Sequence, residues 1–347
     1  MRIKNVVALL EAAIENKKPV LLVGAPGVGK TDIIRQAAQA KGADFMVSHP
    51  VVADPTDAKG LPWPDADKLE ATFLPFGDLA AAIKAERPTV WLLDDLGQAP
   101  PAVQASYMQL LLSRRCNGHV ISDYVTMIAA SNRRTDRAGV SGMLEPVKSR
   151  FAAIVEVTPH IDDWAVWALE NDIPASLIAF LRFRPELLSQ FVPSADMTQS
   201  PTPRTWANLA EVESWKLPRE VEAEAMAGAV GVGAATEYLA FRAMLGSVVT
   251  ADQVILDPHN ATLPIKAAEC YAVCTALAAK ADEKNFARIT TYLQRLTDAG
   301  KGEFAIMVVR DAMRKTPALA HTAAWQKLIV SDLGVLIGGN YAEKASG

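Results

Sequence analysis

Only three of the 347 residues are cysteine, too few and too unevenly placed for a disulfide framework. Cys116 stands alone, while Cys270 and Cys274 lie one helical turn apart in an apolar segment. No second Cys or His pair completes a tetrahedral set, so that spacing reads as one face of a buried helix. Histidine is equally sparse: His49, His119, His160, His259 and His321 are scattered and fall in no metal-ligand spacing. A reducing, cytoplasmic setting is expected. Positive charge is not in excess either. Lys and Arg number 35 against 39 Asp and Glu, a formal net charge of −4, so the basic footprint that tracks a nucleic-acid backbone is lacking. Nucleic acid is therefore the less favoured partner. No stretch reads as a secretory signal, and no apolar run approaches membrane-spanning length. The blandest run, 225–235, is short and Gly-rich and reads as close helix packing. Repeats and low-complexity tracts are lacking as well. What remains is a globular chain, half hydrophobic and 21% charged, long enough for two or three domains.

One stretch organises the rest. Gly24-Ala25-Pro26-Gly27-Val28-Gly29-Lys30-Thr31 satisfies the phosphate-loop pattern G-x-x-x-x-G-K-[ST] at every required position. Residues 19–23 before it form a continuous apolar run, as a fully buried parallel strand requires. Residues 31–38 after it read as a helix. The glycines let backbone N–H groups turn inward around phosphates, and the helix N-terminus adds partial positive charge. Lys30 would reach the β- and γ-phosphates of ATP, and the Thr31 hydroxyl would ligate Mg²⁺.

The chain then supplies the remaining parts in order. Apolar spacing predicts a helix over 3–15, and 43–48 a second strand. Residues 49–77, rich in Pro, Asp and Gly, are too long for a simple connector. They read either as a substrate- or partner-facing loop or as a packed surface insertion. The run 89–95 is apolar and ends in Asp94 and Asp95. A buried strand there would carry Asp94 to the Mg²⁺ shell and leave Asp95 to orient the attacking water. Residues 101–113 read as a helix, and Asn117-Gly118 as a β-hairpin turn. A further buried strand, 124–130, ends at Ser131-Asn132, where a polar side chain beside the acidic pair could contact the γ-phosphate or its water. Arg133, Arg134 and Arg137 follow, then a fifth strand over 151–157. Strands alternating with helices predict a parallel α/β sheet with helices on both faces. Beyond Pro159 only helices are expected, over 162–170, 175–183, 204–215, 219–229 and 234–244. After a Pro- and Asp-rich break at 256–260, four more follow over 263–282, 286–297, 303–315 and 323–336. The expected domains are a nucleotide-binding α/β domain over 1–159, a helical lid over 160–256 and a C-terminal helical extension over 257–347.

With these segments in place, the first two-thirds of the chain resembles an AAA+ ATPase, and within that group the MoxR-type branch. The resemblance implies a five-stranded P-loop sheet followed by an all-α lid. It makes the loop a Walker A motif and Asp94 and Asp95 the Walker B pair, followed by Ala99-Pro100-Pro101 as in MoxR proteins. Asn132 stands at sensor 1. Ser149-Arg150-Phe151 is similar to the Arg-Phe pair that ends the arginine-finger helix, and Thr202-Pro203-Arg204 to sensor 2. Without the resemblance, Arg150 reads as a surface ion-pair residue, Arg204 as a residue near a helix start, and Trp164 and Trp167 as lid core. Three departures stand out. Asp95 occupies a position usually held by Glu, and a displacement near 1 Å can cost about a hundredfold in rate. Gly97-Gln98 replaces the usual Asn-Arg. Arg133 stands where Pro is common, which makes it a rival or companion to Arg150 as a group acting on a neighbouring subunit. The implied activity is Mg²⁺-dependent ATP hydrolysis by a homo-hexameric ring that remodels or activates a partner protein. In MoxR-type systems that partner often contains a von Willebrand factor A domain. Two rivals remain open: a DNA-linked motor or loader, and a nucleotide-gated scaffold that Asp95 keeps nearly inactive.

Overall fold

Short apolar runs build the first half of the chain. The computed structural model describes residues 1–65, 70–136, 142–194 and 196–337, which fall into two units. Unit 1 takes 1–160 with 191–197 and 202–204; unit 2 takes 161–190, 198–201 and the chain from 205 onward. In order, unit 1 carries α1 (Ile3–Glu15), β1 (Val20–Val23), α2 (Lys30–Ala40), β2 (Asp44–Ser48), α3 (Pro55–Lys59), β3 (Leu61–Asp65) and β4 (Glu70–Leu74). It continues with α4 (Gly77–Lys84), β5 (Thr89–Leu93), α5 (Pro101–Ser113), β6 (Arg115–Cys116), β7 (His119–Val120), β8 (Val125–Ser131), α6 (Glu145–Lys148) and β9 (Ala153–Glu156).

Five strands form one parallel sheet in the order β2-β5-β8-β1-β9. This is the expected P-loop sheet with helices on both faces. Alternating side chains of the central strands feed two different cores, which is why these strands read as unbroken apolar runs. Leu22, Leu92 and Ile128 pack with Val6, Leu10 and Ile34 of α1 and α2. Leu21, Trp91 and Met127 pack with Leu79 of α4 and with Val103 and Tyr107 of α5. Trp91 is fully buried, and its indole N–H donates to Ser48 Oγ at 2.7 Å.

The segment 49–77 is not the irregular loop its composition suggests. It folds into α3 and an antiparallel ribbon of β3 and β4, with Leu61 opposite Leu74 and Trp63 opposite Thr72. Asp54 starts α3 by accepting from the Thr56 N–H at 2.9 Å, and the Asp57 carboxylate accepts from the Asp54 N–H at 2.7 Å. Pro62 and Pro64 hid β3, because proline cannot donate to a ladder. A two-stranded ribbon leaves one edge of each strand unpaired, so it tolerates them. The Asn117-Gly118 turn is as expected, with φ of 49° and 85° between β6 and β7.

Among the described residues, unit 2 consists of helices and the segments that join them: α7 (Ile161–Glu170), α8 (Ala175–Phe183), α9 (Pro203–Ser214, its first two residues belonging to unit 1), α10 (Arg219–Val230), α11 (Val232–Met244) and α12 (Ala251–Leu256). After these come α13 (Ala267–Lys280), α14 (Phe286–Asp298), α15 (Gly302–Lys315) and α16 (Ala323–Ile329). Trp164, Phe180, Trp206 and Tyr238 anchor one apolar cluster, and Cys274, Phe286, Tyr292 and Val308 another. Cys270 and Cys274 are both buried on α13. α12 escapes a reading by composition, yet Thr250 and Gln253 cap it reciprocally, a signal present in the sequence. The last expected helix, 323–336, is interrupted after Ile329 and resumes at 332.

Val232–Leu256 is long and apolar enough to cross a membrane by length and composition alone, which corrects the expectation that no run reaches that length. Its charges, Glu237, Arg242 and Asp252, are too few to break the pattern. The backbone does break it: Val248 and Thr250 are extended, with ψ of 146° and 157°. Ala234, Ala235, Tyr238 and Phe241 are buried in the unit 2 core.

A deeply buried ion pair lies inside unit 2. Arg182 of α8 meets Asp311 of α15 at 2.5 Å, with side chains 4% and 0% exposed. Arg182 also donates to Thr275 Oγ1 of α13 at 3.3 Å. Removing one partner strands a buried charge. Asp311→Ala is therefore expected to destabilise unit 2 by about 3–5 kcal/mol, and the apolar pair Arg182→Met with Asp311→Leu by much less. Urea unfolding followed by tryptophan fluorescence measures both. A loss for Asp311→Ala below about 1 kcal/mol, the range of exposed pairs, would contradict this account.

Candidate functional site

In a parallel sheet all strands end at the same edge, and ligands bind beyond their carboxyl ends. β1, β5 and β8 deliver the phosphate loop, the acidic pair and Asn132 to that edge. The loop is tied to its neighbours: Gly24 donates to Ser131 O at 3.2 Å, and the Arg204 N–H to Gly27 O at 3.0 Å. Gly27 and Gly29 lie in the left-handed region at φ of 77° and 91°. A Cβ on Gly27 would sit 2.5 Å from Thr202 Oγ1, so glycine is required there on two counts. Among the described residues, the N–H groups of Gly27 and Gly29 donate to no backbone carbonyl. The first N–H groups of α2 have no partner within the helix. Together these are the donors that a polyphosphate needs.

Lys30 is buried, and its ammonium donates to Gly24 O at 3.0 Å, Ala25 O at 3.2 Å and Asn132 Oδ1 at 2.7 Å. Burial lowers its pKa to about 8, against the opposing charges of Asp95 and Asp94. The cation is folded onto oxygens of its own loop, and the same donors are available to phosphate oxygens. Thr31 Oγ1 donates to Asp94 Oδ2 at 2.8 Å. A hydroxyl and a carboxylate converging in this way are hard oxygen ligands that fit Mg²⁺.

Asp95 has φ of 55°, in the left-handed region that Asp tolerates better than most residues. Its carboxyl pKa is raised, first by burial and then by the Asp94 charge, while Lys30, His49 and Arg204 pull the other way. The Asn132 side chain bridges the two halves of the site. Its oxygen accepts from Lys30, and its Nδ2 donates to Asp95 Oδ1 at 3.3 Å. Lys30, Thr31, Asp94, Asp95 and Asn132 thus form one cluster from three strand ends, with the exposed Arg204 close enough for its charge to act on Lys30 and Asp95. His49 was missed by sequence reasoning. The signal was its place after β2, whose Ser48 lies in register with Leu93 just before the acidic pair.

Among the described residues, neither the Arg133 nor the Arg150 side chain hydrogen-bonds to this cluster. Arg133 forks onto Asp136 and reaches Glu156 at 2.9 Å, so its guanidinium is engaged within its own chain. The Arg150 side chain donates from Nη1 to Ser149 Oγ at 3.4 Å, and its buried Nε has no hydrogen-bond partner among the described residues. Arg137 lies outside the described residues.

No family model and no curated protein matches the sequence. Among solved structures, the chain is similar to the RuvB Holliday junction branch migration motor of Thermotoga maritima, at 18% identity and a TM-score of 0.37, covering 86% of this chain and 87% of that one. A point mutant of the same protein gives 15% identity and a TM-score of 0.37, over 86% and 77% of the two chains. A candidate ATPase of Cytophaga hutchinsonii gives 18% identity and a TM-score of 0.32, over 45% of this chain. The match spans 46% of the length of that ATPase. Likenesses this distant decide neither family nor activity, and the functional reading rests on the site's own geometry.

The lowered pKa of Lys30 has a measurable consequence. Between about pH 8 and 10.5 the unfolded chain holds this proton and the folded one releases it, so this group's contribution to stability rises with pH across that window. A triphosphate held by this loop would supply negative charge and return the proton. ATP binding at pH 8 is therefore expected to take up about half a proton per site, and affinity should fall as pH rises past 8. Calorimetry in buffers of different ionisation enthalpy measures the uptake. Zero uptake would contradict a depressed Lys30.

Proposed function

We propose that this chain is a Mg²⁺-dependent ATPase of the AAA+ type, of the MoxR branch, that works as a ring and remodels or activates a partner protein. The observation that carries the reading is the single network joining Lys30, Asn132 and Asp95, beside the Thr31–Asp94 pair, at the carboxyl edge of a P-loop sheet. Residues Gly24 to Lys30 would wrap the triphosphate, with Lys30 turning from the loop carbonyls to the β- and γ-phosphates. Thr31 and Asp94 would hold Mg²⁺, which supplies charge neutralisation on the phosphates when bound. Asp95, with Asn132 fixing its orientation, would position the attacking water. Lys30 and Arg204 would offset charge on the transferred group, and Arg150 of a neighbouring copy would complete that offset. The engagement of Arg133 within its own chain favours Arg150 over Arg133 for that role. The resemblance, not the geometry, suggests a homo-hexamer and a client or adaptor with a von Willebrand factor A domain.

The short side chain at position 95 favours a second reading, a nucleotide-gated scaffold with very slow turnover. Steady-state ATPase measurements separate the two. Under the first, Asp95→Asn keeps MgATP affinity and loses hydrolysis, and Lys30→Ala loses affinity with its circular dichroism unchanged. Arg150→Ala is expected to bind ATP and to lose activity on the order of a thousandfold or more. Mixing it with Asp95→Asn subunits should restore part of that activity, because some interfaces then combine an intact Asp95 with an intact Arg150. Mixed rings that never recover would remove Arg150 from the proposed site.

A further inference from the structure

Arg133 directly follows Asn132, at the point where β8 gives way to a tight turn over 134–136. Its guanidinium holds both oxygens of Asp136: Nε at 3.2 and 3.0 Å, and Nη2 at 2.8 Å from Oδ1. The Arg133 N–H also points at that carboxylate, 3.3 Å from Oδ2, while the Asp136 N–H donates to Arg133 O at 3.1 Å. The turn is thus closed by backbone and side chain together around a carboxylate that is only 6% exposed. The remaining Nη1 reaches Glu156 at 2.9 Å. Glu156 ends β9 in register with Val23, the residue immediately before the phosphate loop. Each of the three guanidinium nitrogens thus has a partner within the chain, and the bidentate fit is one that lysine cannot reproduce.

We infer that Arg133 is a positioning residue for Asn132. By locking the turn that follows, it fixes the amide that joins Lys30 to Asp95. Asn132 must present its oxygen to Lys30 at 2.7 Å and its nitrogen to Asp95 at 3.3 Å at the same time. A loosened turn would let that amide rotate or withdraw. This inference rests on the hydrolytic reading above for its kinetic consequence, and on the geometry alone for its structural one.

The test compares Arg133→Ala, Arg133→Lys and Asp136→Asn in the full chain. Each is expected to lower kcat on the order of tenfold to a hundredfold, the penalty of a displacement near 1 Å, with KM little changed. The lysine variant should lose nearly as much as alanine, since it keeps the charge and lacks the fork. In an Asn132→Ala background, Arg133→Ala should add no further loss. Penalties that multiply in that background, an unchanged kcat, or recovery on mixing Arg133→Ala with Asp95→Asn subunits would each overturn the inference. The Asn132 side-chain amide, assigned by its loss in Asn132→Ala, gives a readout that needs no turnover. Its nuclear magnetic resonance order should fall in Arg133→Ala and Asp136→Asn, and an amide as ordered as in the parent overturns the clamp. A parent protein that neither binds nor hydrolyses ATP would defeat the hydrolytic reading, while the amide signal would still decide the clamp. Asp136→Asn opens the fork from its other end, so a folding defect in Arg133→Ala leaves the question decidable.

Discussion

The burial of the sheet on both faces is the constraint on which the rest of unit 1 depends. Once helices cover both faces, Leu21 and Leu22, Trp91 and Leu92, Met127 and Ile128 must all be apolar, and a polar side chain can face a helix only if it finds a hydrogen bond there, as Thr126 does with Ile14 O at 3.3 Å. The chemistry is forced to the strand ends. Three buried strands finishing at one edge therefore bring together groups 37 to 102 residues apart in sequence. The edge is rigid because the strands behind it cannot shift register without exposing one core or overpacking the other.

At that edge each charged group is compensated by its neighbours. Lys30 loses hydration and gains three oxygen acceptors, while Asp95 loses hydration and gains an amide donor from Asn132. The two opposite pKa shifts share one cause, desolvation, which disfavours whichever form is charged. A ligand carrying both phosphate charge and a cation would address both imbalances at once. Unit 2 meets a similar cost differently, by pairing Arg182 with Asp311 inside the helical core. Such a pair adds little to stability compared with apolar residues of similar volume, yet removing one partner is costly.

Much of this was legible before any coordinates. The phosphate loop carries its own structural instructions in Gly27, Gly29 and the helix that follows, and the Asn117-Gly118 turn likewise dictates its hairpin. The β3–β4 ribbon was not legible, because Pro62 and Pro64 argue against a strand unless its outer edge is unpaired, and pairing is not a local property. The interruption of 232–256 was legible in part, from the expected helix end at 244 and the reciprocal Thr250–Gln253 cap, while α12 itself was not expected.

Local sequence determined which residues bear the chemistry: Lys30, Thr31, Asp94, Asp95 and Asn132 follow from a motif and from where apolar runs end, both short-range signals. Only the tertiary structure decided what those residues touch. That Asn132 spans Lys30 and Asp95, that Thr202 crowds Gly27, and that Arg133 reaches Glu156 all depend on how distant segments pack. No short-range pattern encodes them, because residues distant in sequence meet only once the sheet has closed its two cores.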